Sequence, residues 1–243
     1  MKTMVGFGKN DEINFCQACS IRNRAICADL DETEIALLND IGRRRDLVSG
    51  ESLLWEGDEA VFVANVVSGM LKLSTTTRDG REQILGLSYP SDFLGRPFGE
   101  TTPYDAQALT DATVCIFRRS DFERFAHEHP RLERKLLERT LGELDRSRRW
   151  MLLLGRMSAE ERVATLLLEI SERLASSACG GEASSLDIFE LPVSRQQIAD
   201  ILGLTIETVS RQFTRLKAEK IIGMKGRRDV ELLRRDLLET IVT

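Results

Sequence analysis

The chain has 243 residues, of which 42% are apolar and 30% charged, and its formal net charge is −5. This length allows one large or two ordinary domains with a buried core. No run approaches the roughly 20 apolar residues that cross a bilayer, and no apolar signal region follows the N-terminus, so we expect a cytoplasmic protein with no membrane partner.

Three cysteines with the spacing C-x2-C-x7-C, Cys16, Cys19 and Cys27, mark the first segment. In a reducing compartment, clustered cysteines are more often metal ligands than disulfides. Four thiolates bind a zinc ion or an iron–sulfur cluster, and Cys115, in the predicted strand TVCIF, is the fourth candidate. One close pair, one offset cysteine and one distant cysteine favour a cluster, although spacing alone leaves zinc open. Arg22 and Arg24 lie between the ligands and can offset their negative charge.

Short apolar runs separated by glycines follow, from about residue 47 to residue 117. The clearest of these runs are Phe62–Val67, Met70–Ser74, Gln83–Leu87 and Thr113–Phe117. Regular short strands with turn signals between them predict an antiparallel barrel or sandwich.

The pattern then changes to one long helix, predicted over Arg131–Arg156 after a start at Pro130. Its predicted seam contains Leu137, Leu141, Leu144, Arg148 and Met151. Apolar residues at this spacing are typical of a coiled coil, but Arg148 stands where a Leu is expected. The alternative is an amphipathic helix packed on its own barrel. We favour a seam between two copies, because proteins that bind palindromic DNA are dimers.

The last third of the chain is predicted to be mainly helical. In order we expect a helix over Ala159–Ala175, a Gly/Ser-rich loop over Ser176–Ser185, a strand over Leu186–Leu191, two helices, and a hairpin around Lys225–Asp229. Cys179, in the loop, is interpreted as a solvated free thiol.

The two helices have the signals of a helix-turn-helix. Ser194 followed by Gln197 fits a capping box, and Gly203 can take the left-handed conformation that ends a helix. Thr205 can cap the second helix, which is predicted to run to Ala218. The residues that recur on its apolar face are Val209, Phe213 and Leu216.

The opposite side of this second helix carries groups that can recognise base pairs. Arginine fits the two acceptors of guanine and a carboxylate accepts from cytosine, so Arg211 and Glu207 are predicted to contact base edges. Ile206 and Ser210 can contact thymine methyl groups. The predicted phosphate contacts are Arg215, Lys217, Lys225, Arg227 and Arg228. The alternative is that Glu207 and Arg211 form only a helix-surface ion pair.

Local charge favours the DNA-binding interpretation. Residues 193 to 228 contain eight Lys or Arg and three acids, a local net charge of +5 within an acidic chain. An enzyme is disfavoured because the chain has no phosphate-binding loop, nucleophile elbow or dinucleotide fingerprint. Its two histidines, His127 and His129, are interpreted as solvated residues at a helix start.

The order of barrel, long helix and winged helix-turn-helix resembles the cyclic-AMP receptor protein/FNR superfamily over nearly the whole chain. The segment ETVSRQFTRL, with Glu207, Ser210 and Arg211, is similar to the recognition helix of the FNR branch. Three clustered cysteines plus a central one also resemble that branch. The x7 gap is longer than the x5 gap of some members and resembles the variant of alpha-proteobacterial FNR-like regulators.

The resemblance implies an α+β fold in four parts. These are a cysteine-rich arm (1–28), a cyclic-nucleotide-binding-like β-roll or jelly roll (29–128), a dimerisation helix (129–157) and a winged helix-turn-helix domain (158–243). It also implies an oxygen sensor, mainly an activator of anaerobic or microaerobic genes. Such a protein carries a [4Fe–4S] cluster on Cys16, Cys19, Cys27 and Cys115. It binds a palindrome like TTGAT-N4-ATCAA as a homodimer, loses the cluster and dissociates in oxygen, and contacts RNA polymerase, for which Thr77–Glu82 is a candidate loop. A zinc site, a thiol switch or another small effector on the same scaffold is the alternative.

One departure from the wider family concerns cyclic nucleotides. Members that bind them have an Arg-Ser pair that holds the cyclic phosphate. Here Asp105 and Ala106 fall at that place, in GRPFGETTPYDAQAL. An acid in place of the cation repels phosphate, so we expect no cyclic nucleotide binding.

Overall fold

The computed structural model describes residues 15–177 and 185–242. Contacts divide the described chain into two compact units. One comprises the chain up to Lys72 and Pro90–Leu141, and the other comprises Leu73–Tyr89 and the chain from Gly142 onward.

The described chain contains both helices and strands, with a run of strands before a mainly helical part. The helices are α1 (Glu32–Ile41), α2 (Arg119–Glu128), α3 (Pro130–Arg156), α4 (Ala159–Ser177), α5 (Arg195–Leu202), α6 (Ile206–Ala218) and α7 (Arg235–Val242). The strands are β1 (Gly42–Leu47), β2 (Ser52–Leu54), β3 (Phe62–Ser68), β4 (Leu71–Thr76), β5 (Glu82–Ser88), β6 (Phe93–Leu94), β7 (Asp105–Ala108), β8 (Ala112–Arg118), β9 (Ile188–Glu190), β10 (Ile222–Met224) and β11 (Asp229–Leu232).

Strands β1 to β8 form two four-stranded sheets, in the orders β1-β8-β3-β6 and β2-β7-β4-β5. In the first sheet β8 is central and pairs antiparallel with both β1 and β3. Gly69 joins β3 to β4 with a φ of +77°, and an added Cβ would lie 2.3 Å from the carbonyl oxygen of Asp111. This turn therefore requires glycine. The two antiparallel sheets of short strands confirm the predicted barrel or sandwich.

The core of the first unit lies between β3, β8 and the helices α1 and α2. Phe122 packs against Phe117 and Phe93, with ring centroids 5.5 and 5.4 Å apart. The segment that carries the first three cysteines joins the same cluster of buried side chains, in which Ile21 and Ile26 take part. These packing contacts hold the N-terminal segment against β8.

The predicted long helix is confirmed as α3. The sequence reasoning did not predict α2, which ends just before it, and the expectation for His129 is wrong. His129 caps the C-terminus of α2, its ring stacks on Phe125 at 3.9 Å, and its Nδ1 lies 2.7 Å from the Phe125 carbonyl oxygen. Its half-burial follows from this stacking, whereas His127 is exposed as expected.

The second unit has a helical core and a small sheet with the strand order β10-β11-β9. Helix α4 extends two residues beyond its predicted end, and β9 is shorter than the predicted strand. Strands β10 and β11 form the predicted hairpin, with Met224 opposite Val230. Cys179 lies outside the described residues. No helix of the described chain is both long and apolar enough to cross a membrane.

Candidate metal centre and nucleic-acid interface

Four reduced cysteines line one pocket in the first unit. Cys16, Cys19 and Cys27 come from the N-terminal segment and Cys115 comes from β8, and all four are free thiols. The other residues around the pocket are Phe15, Ile21, Leu38, Arg44, Asn65, Val67 and Phe117. The fold thus brings together the four cysteines that were singled out in the sequence.

Successive turns present the three N-terminal thiols. The Arg22 amide donates to the Cys19 carbonyl at 3.1 Å, and the Leu30 amide donates to the Cys27 carbonyl at 3.2 Å. Ile26, next to Cys27, is fully buried and anchors the segment. The cysteines therefore reach the pocket from irregular backbone that is held by packing rather than by a helix or strand.

Burial raises the pKa of Cys16, Cys27 and Cys115 and so favours their protonated form. Desolvation, followed by the neighbouring cysteines, raises the pKa of Cys16 to about 12 and that of Cys27 to about 11. The same causes raise the pKa of Cys115 well above its ordinary value. Thiolates are the form that binds metal, so a bound metal must displace protons here.

Two arginines counteract this effect. Arg44 and Arg22 both lower the pKa of Cys16, and Arg44 also lowers that of Cys115. The Arg44 guanidinium lies 5.5 Å from the centre of the Phe15 ring, and its Nη2 donates to the Phe15 carbonyl at 3.4 Å. The sequence reasoning singled out Arg22 but missed Arg44, because only the sheet brings β1 beside β8.

The pocket between the thiols has a volume of about 20 Å³, which is room for about one water molecule. Within residues 15–177 and 185–242, no group of three or more His, Cys, Asp or Glu side chains is arranged to hold a metal ion. The four thiols line this pocket together, and four thiolates are a donor set that zinc and iron–sulfur clusters share.

The helix-turn-helix has the predicted caps. Ser194 Oγ accepts from the Gln197 amide, and Gln197 Oε1 accepts from the Ser194 amide at 2.8 Å. Gly203 ends α5 with a φ of +61°, which glycine adopts without strain. Thr205 caps α6 by accepting from the Thr208 amide.

Helix α6 buries one face and exposes the other. Val209, Phe213 and Leu216 are buried against the core of the second unit. The side chains predicted to contact bases, Ile206, Glu207, Ser210 and Arg211, are all exposed. Helix α6 therefore presents these four residues to an incoming partner.

The surroundings of Glu207 bear on the alternative that it forms only a helix-surface ion pair with Arg211. Within the described residues, no salt bridge joins Glu207 to Arg211. A hydrogen bond with its own amide and one with Thr205 lower the pKa of Glu207. The exposed carboxylate of Glu207 is therefore ionised at neutral pH and can accept hydrogen bonds from a partner.

A groove of about 670 Å³ separates α6 from the turn between β10 and β11. Ser210, Thr214, Lys217, Arg227 and Arg228 are among its lining residues. Hydroxyl groups and cations are the groups that bind phosphate oxygens in protein–DNA complexes. Lys225 is exposed in the same turn.

Arg195, at the start of α5, also borders this groove. Its guanidinium stacks on Phe213 at 3.2 Å, and Nη2 contacts the sulfur of Met224 at 3.3 Å. Burial lowers its pKa to about 10, so it stays charged at neutral pH. Arg195 therefore places a positive charge next to α6. The sequence alone did not indicate this role for Arg195.

Arg215 is already paired. It donates to Glu160 at 2.7 Å and to Glu219 at 2.9 Å. A phosphate contact from this residue requires these pairs to open, which distinguishes it from the other predicted phosphate contacts.

Helix α3 exposes an apolar stripe. Leu137 is 60% exposed and Met151 is 72% exposed, and Leu141 and Leu144 are also exposed. Arg148 lies on the same face, where it pairs with Asp145 at 3.2 Å. An apolar stripe of this length is typical of a protein–protein interface.

Asp105 occupies the start of β7. Its carboxylate accepts a hydrogen bond of 2.8 Å from the Glu56 amide. The carboxylate of Asp105 is therefore held by a backbone amide. It lies at the position where members that bind cyclic nucleotides are expected to have the arginine that holds the phosphate.

Comparisons with known proteins agree with this arrangement. Residues 44–129 match the cyclic nucleotide-binding domain, and residues 161–241 match the Crp-like helix-turn-helix domain. The chain is 46% identical over 215 residues to the transcriptional activator protein FnrL of Cereibacter sphaeroides, across 88% of this chain and 86% of FnrL. The chain belongs to the CRP/FNR family of transcription regulators.

Further relatives of this CRP/FNR chain support the assignment. The nitrogen fixation regulation protein FixK of Bradyrhizobium diazoefficiens is 42% identical over 211 residues, which are 87% of each chain. The solved structure of FixK2 from Bradyrhizobium japonicum has a TM-score of 0.75 at 35% identity, and the match covers 84% of this chain and 98% of FixK2. The structure of a CooA mutant from Carboxydothermus hydrogenoformans, at 19% identity and a TM-score of 0.68, shares the fold over 97% of this chain and 98% of CooA.

The family settles the general function. The similar proteins are transcriptional activators and regulators, so this CRP/FNR chain is a DNA-binding transcription regulator and not an enzyme. The predicted fold class is also confirmed, since a β-roll, a long helix and a C-terminal helix-turn-helix are all present.

Proposed function

We propose that this regulator senses oxygen through a [4Fe–4S] cluster held by Cys16, Cys19, Cys27 and Cys115. With the cluster bound, two copies associate through α3 and bind a palindrome like TTGAT-N4-ATCAA, mainly to activate anaerobic or microaerobic genes. The observation that carries the proposal is the meeting of four reduced thiols, from two distant segments, around one pocket. In oxygen the group would be lost from these cysteines, and the two copies would then separate.

The donor set fits an iron–sulfur cluster. Clusters of this type are held by four cysteine thiolates, and the pocket contains these four thiols and a cation. The spacing of one close pair, one offset cysteine and one distant cysteine favours a cluster over one zinc ion.

The chain's own residues prepare this site. When bound, the cluster supplies an oxygen-sensitive link between the N-terminal segment and β8. The four cysteines must lose their protons, and Arg44 and Arg22 favour the thiolate form. The buried side chains of Ile21 and Ile26 pack the segment against the same core cluster as Cys115, so the cysteines that would hold the group lie together.

Dimerisation is assigned to the exposed stripe on α3. Leu137, Leu141, Leu144 and Met151 supply an apolar seam, and Arg148 interrupts it. A charged residue in a seam lowers the stability of the dimer. The monomer–dimer balance is therefore marginal and responds to a small change in free energy at the cysteine site.

DNA recognition is assigned to the exposed face of α6 and the adjacent groove. Arg211 and Glu207 bind base edges, and Ile206 and Ser210 contact thymine methyl groups. The proposed phosphate contacts are Lys217, Lys225, Arg227 and Arg228, with Arg215 after its carboxylate pairs open. A dimer places two such helices on the two halves of a palindrome.

Two further assignments follow from the first unit and from the hairpin of β4 and β5. Asp105 disfavours a cyclic phosphate, so no cyclic nucleotide is proposed as an effector.

RNA polymerase is the proposed partner of the exposed turn at Thr77–Glu82. Asp79 orders this turn through a salt bridge of 2.7 Å with Arg81.

The proposal is tested by loading the full-length protein with iron and sulfide under anaerobic conditions. We expect about four irons and four sulfides per chain, visible absorption, a dimer, and binding to the palindrome, all of which are lost in air. Even under anaerobic conditions, Cys19→Ala is expected to show neither the absorption, nor the dimer, nor binding to the palindrome. Cys179→Ala is the matched control and is expected to show all three. Tight zinc binding without visible absorption, or oxygen-sensitive DNA binding that a dithiol restores without iron, would replace the cluster with one of the alternatives.

A further inference from the structure

Asn65 is a buried polar residue in the middle of β3. Its side chain is only 3% exposed, and its Oδ1 has no hydrogen-bond partner among the described residues. Leaving such an atom unpaired destabilises the folded state. An unsatisfied buried group in a folded protein therefore needs a reason, such as a functional role or a bound group.

The position of Asn65 suggests that reason. Strands β3 and β8 pair antiparallel with Asn65 directly opposite Cys115. Residues directly opposite each other in a sheet point to the same face. Asn65 accordingly lines the same pocket as Cys115 and the three N-terminal cysteines.

The pocket offers this amide few other partners. Apart from the four thiols, Arg44 is the only other polar residue among its described lining residues, which otherwise include Val67 and Phe117. Arg44 reaches the Phe15 carbonyl instead. The sulfur atoms of the four cysteines are therefore the groups in the pocket that remain for the Asn65 amide to contact.

We propose that Asn65 is a positioning residue whose side-chain amide donates an N–H···S hydrogen bond to the sulfur atoms of the group held by the four cysteines. This inference rests on the proposed iron–sulfur function. A thiolate or a sulfide only accepts hydrogen bonds and therefore suits the Nδ2 donor. The two ends of the amide have nearly the same shape, so a turn about its last bond exchanges them without extra space.

The hydrogen bond has a direct chemical consequence. Hydrogen bonds to the sulfurs of a cluster stabilise negative charge there and are among the factors that set the reduction potential of the cluster. Partners of this kind commonly change metal affinity by 10- to 100-fold. Asn65 thus favours retention of the group at the cost of an unpaired atom when the site is empty.

These opposite effects give a test that a purely structural role would not pass. Asn65→Leu removes the donor and the unpaired acceptor while keeping a similar shape. The apoprotein is expected to melt at the same temperature or a few degrees higher, because an unsatisfied polar atom is gone. The loaded protein is expected to release iron to a chelator, without oxygen, about tenfold faster than the wild type.

Val66→Ala is the matched control, because Val66 is the next residue of β3, is fully buried and alternates to the other face. It is expected to lower the melting temperature of the apoprotein and leave the rate of iron release unchanged. A second pair, Asn65→Thr and Asn65→Val, differs only in a hydroxyl donor. We expect the Thr variant to release iron more slowly than the Val variant.

The outcomes separate the two hypotheses. If the wild type loads no iron–sulfur group, the proposed function and this inference both fail. If the wild type loads and both Asn65→Leu and Asn65→Val release iron at its rate, only the role of Asn65 is overturned. The same holds if Asn65→Leu lowers the melting temperature as Val66→Ala does and releases iron no faster than that control.

Discussion

Arg44 and Cys115 lie directly opposite each other across β1 and β8. The guanidinium lowers the pKa of the buried Cys115 thiol, against the larger effect of desolvation. It also donates to the carbonyl of Phe15, the residue before Cys16. One side chain therefore links the strand cysteine to the N-terminal segment and supplies positive charge between them.

Arg44→Met tests this link, since it keeps the length of the side chain and removes its charge. We expect iron bound under anaerobic conditions to be lost to a chelator about tenfold faster. Arg45→Met is the control, because Arg45 lies on the other face of β1 and pairs with Glu51. Equal rates of iron loss in the two variants would show that Arg44 has no special role at the site.

Arg211→Ala tests base recognition by α6. We expect a loss of roughly 1–3 kcal/mol per half-site and relaxed selection at one base pair, measured by binding to operators with single substitutions. Lys217→Ala is the comparison, because a phosphate contact weakens binding to all sequences alike and reduces the salt dependence. An Arg211→Ala protein that loses affinity equally for every sequence would contradict a base-reading role.

Leu141→Glu tests the seam on α3. A charge on the exposed stripe is expected to abolish the dimer in anaerobic sedimentation experiments while the melting temperature of the monomer changes little. Gly142→Glu places the same charge on another face, where an added Cβ meets no atom within 4 Å, and is expected to leave the dimer intact. Arg148→Leu completes the apolar seam and should strengthen the dimer. Dimers that are indifferent to both Leu141→Glu and Arg148→Leu would exclude this face.

Arg162→Met tests a connection inside the second unit. Arg162 donates to the carbonyls of Leu154 and Met157 near the end of α3 and to that of Leu202 at the end of α5, at 2.8 to 2.9 Å. Losing these charged hydrogen bonds is expected to lower the free energy of unfolding by about 1.5–3 kcal/mol.

The same substitution is expected to weaken DNA binding without changing its sequence preference, because α5 supports the recognition helix. Calorimetry and binding to substituted operators measure the two effects. The exposed Arg156, in the last turn of α3, supplies the control variant Arg156→Met. An Arg162→Met protein as stable as this control would contradict the connection.

The helix-turn-helix was predictable because its signals are local. The capping box at Ser194, the left-handed Gly203 and the apolar spacing of α6 each depend on residues a few positions apart. The long helix and most of the strands were predictable for the same reason, through periodicity and glycine turns. The four thiols were singled out by residue type, although only the fold shows that they share a pocket.

Other features depended on contacts between distant residues. Strand β1 has the sequence GRRRDL, whose charges hide the alternation of buried and exposed positions. Helix α1 begins with a capping box at Asp31 and Glu34, which is a signal that the sequence reasoning overlooked. The roles of Arg44 and Asn65 follow from strand register, which no short-range pattern in the sequence encodes.

The most direct measurement of the central claim is the visible spectrum of anaerobically loaded protein, recorded with its sedimentation behaviour before and after exposure to air. We predict a broad absorption band and a dimer that binds the palindrome, followed by loss of the band, the dimer and DNA binding together. A protein that dimerises and binds the palindrome equally well with and without air, and that shows no visible absorption in either state, would contradict the account.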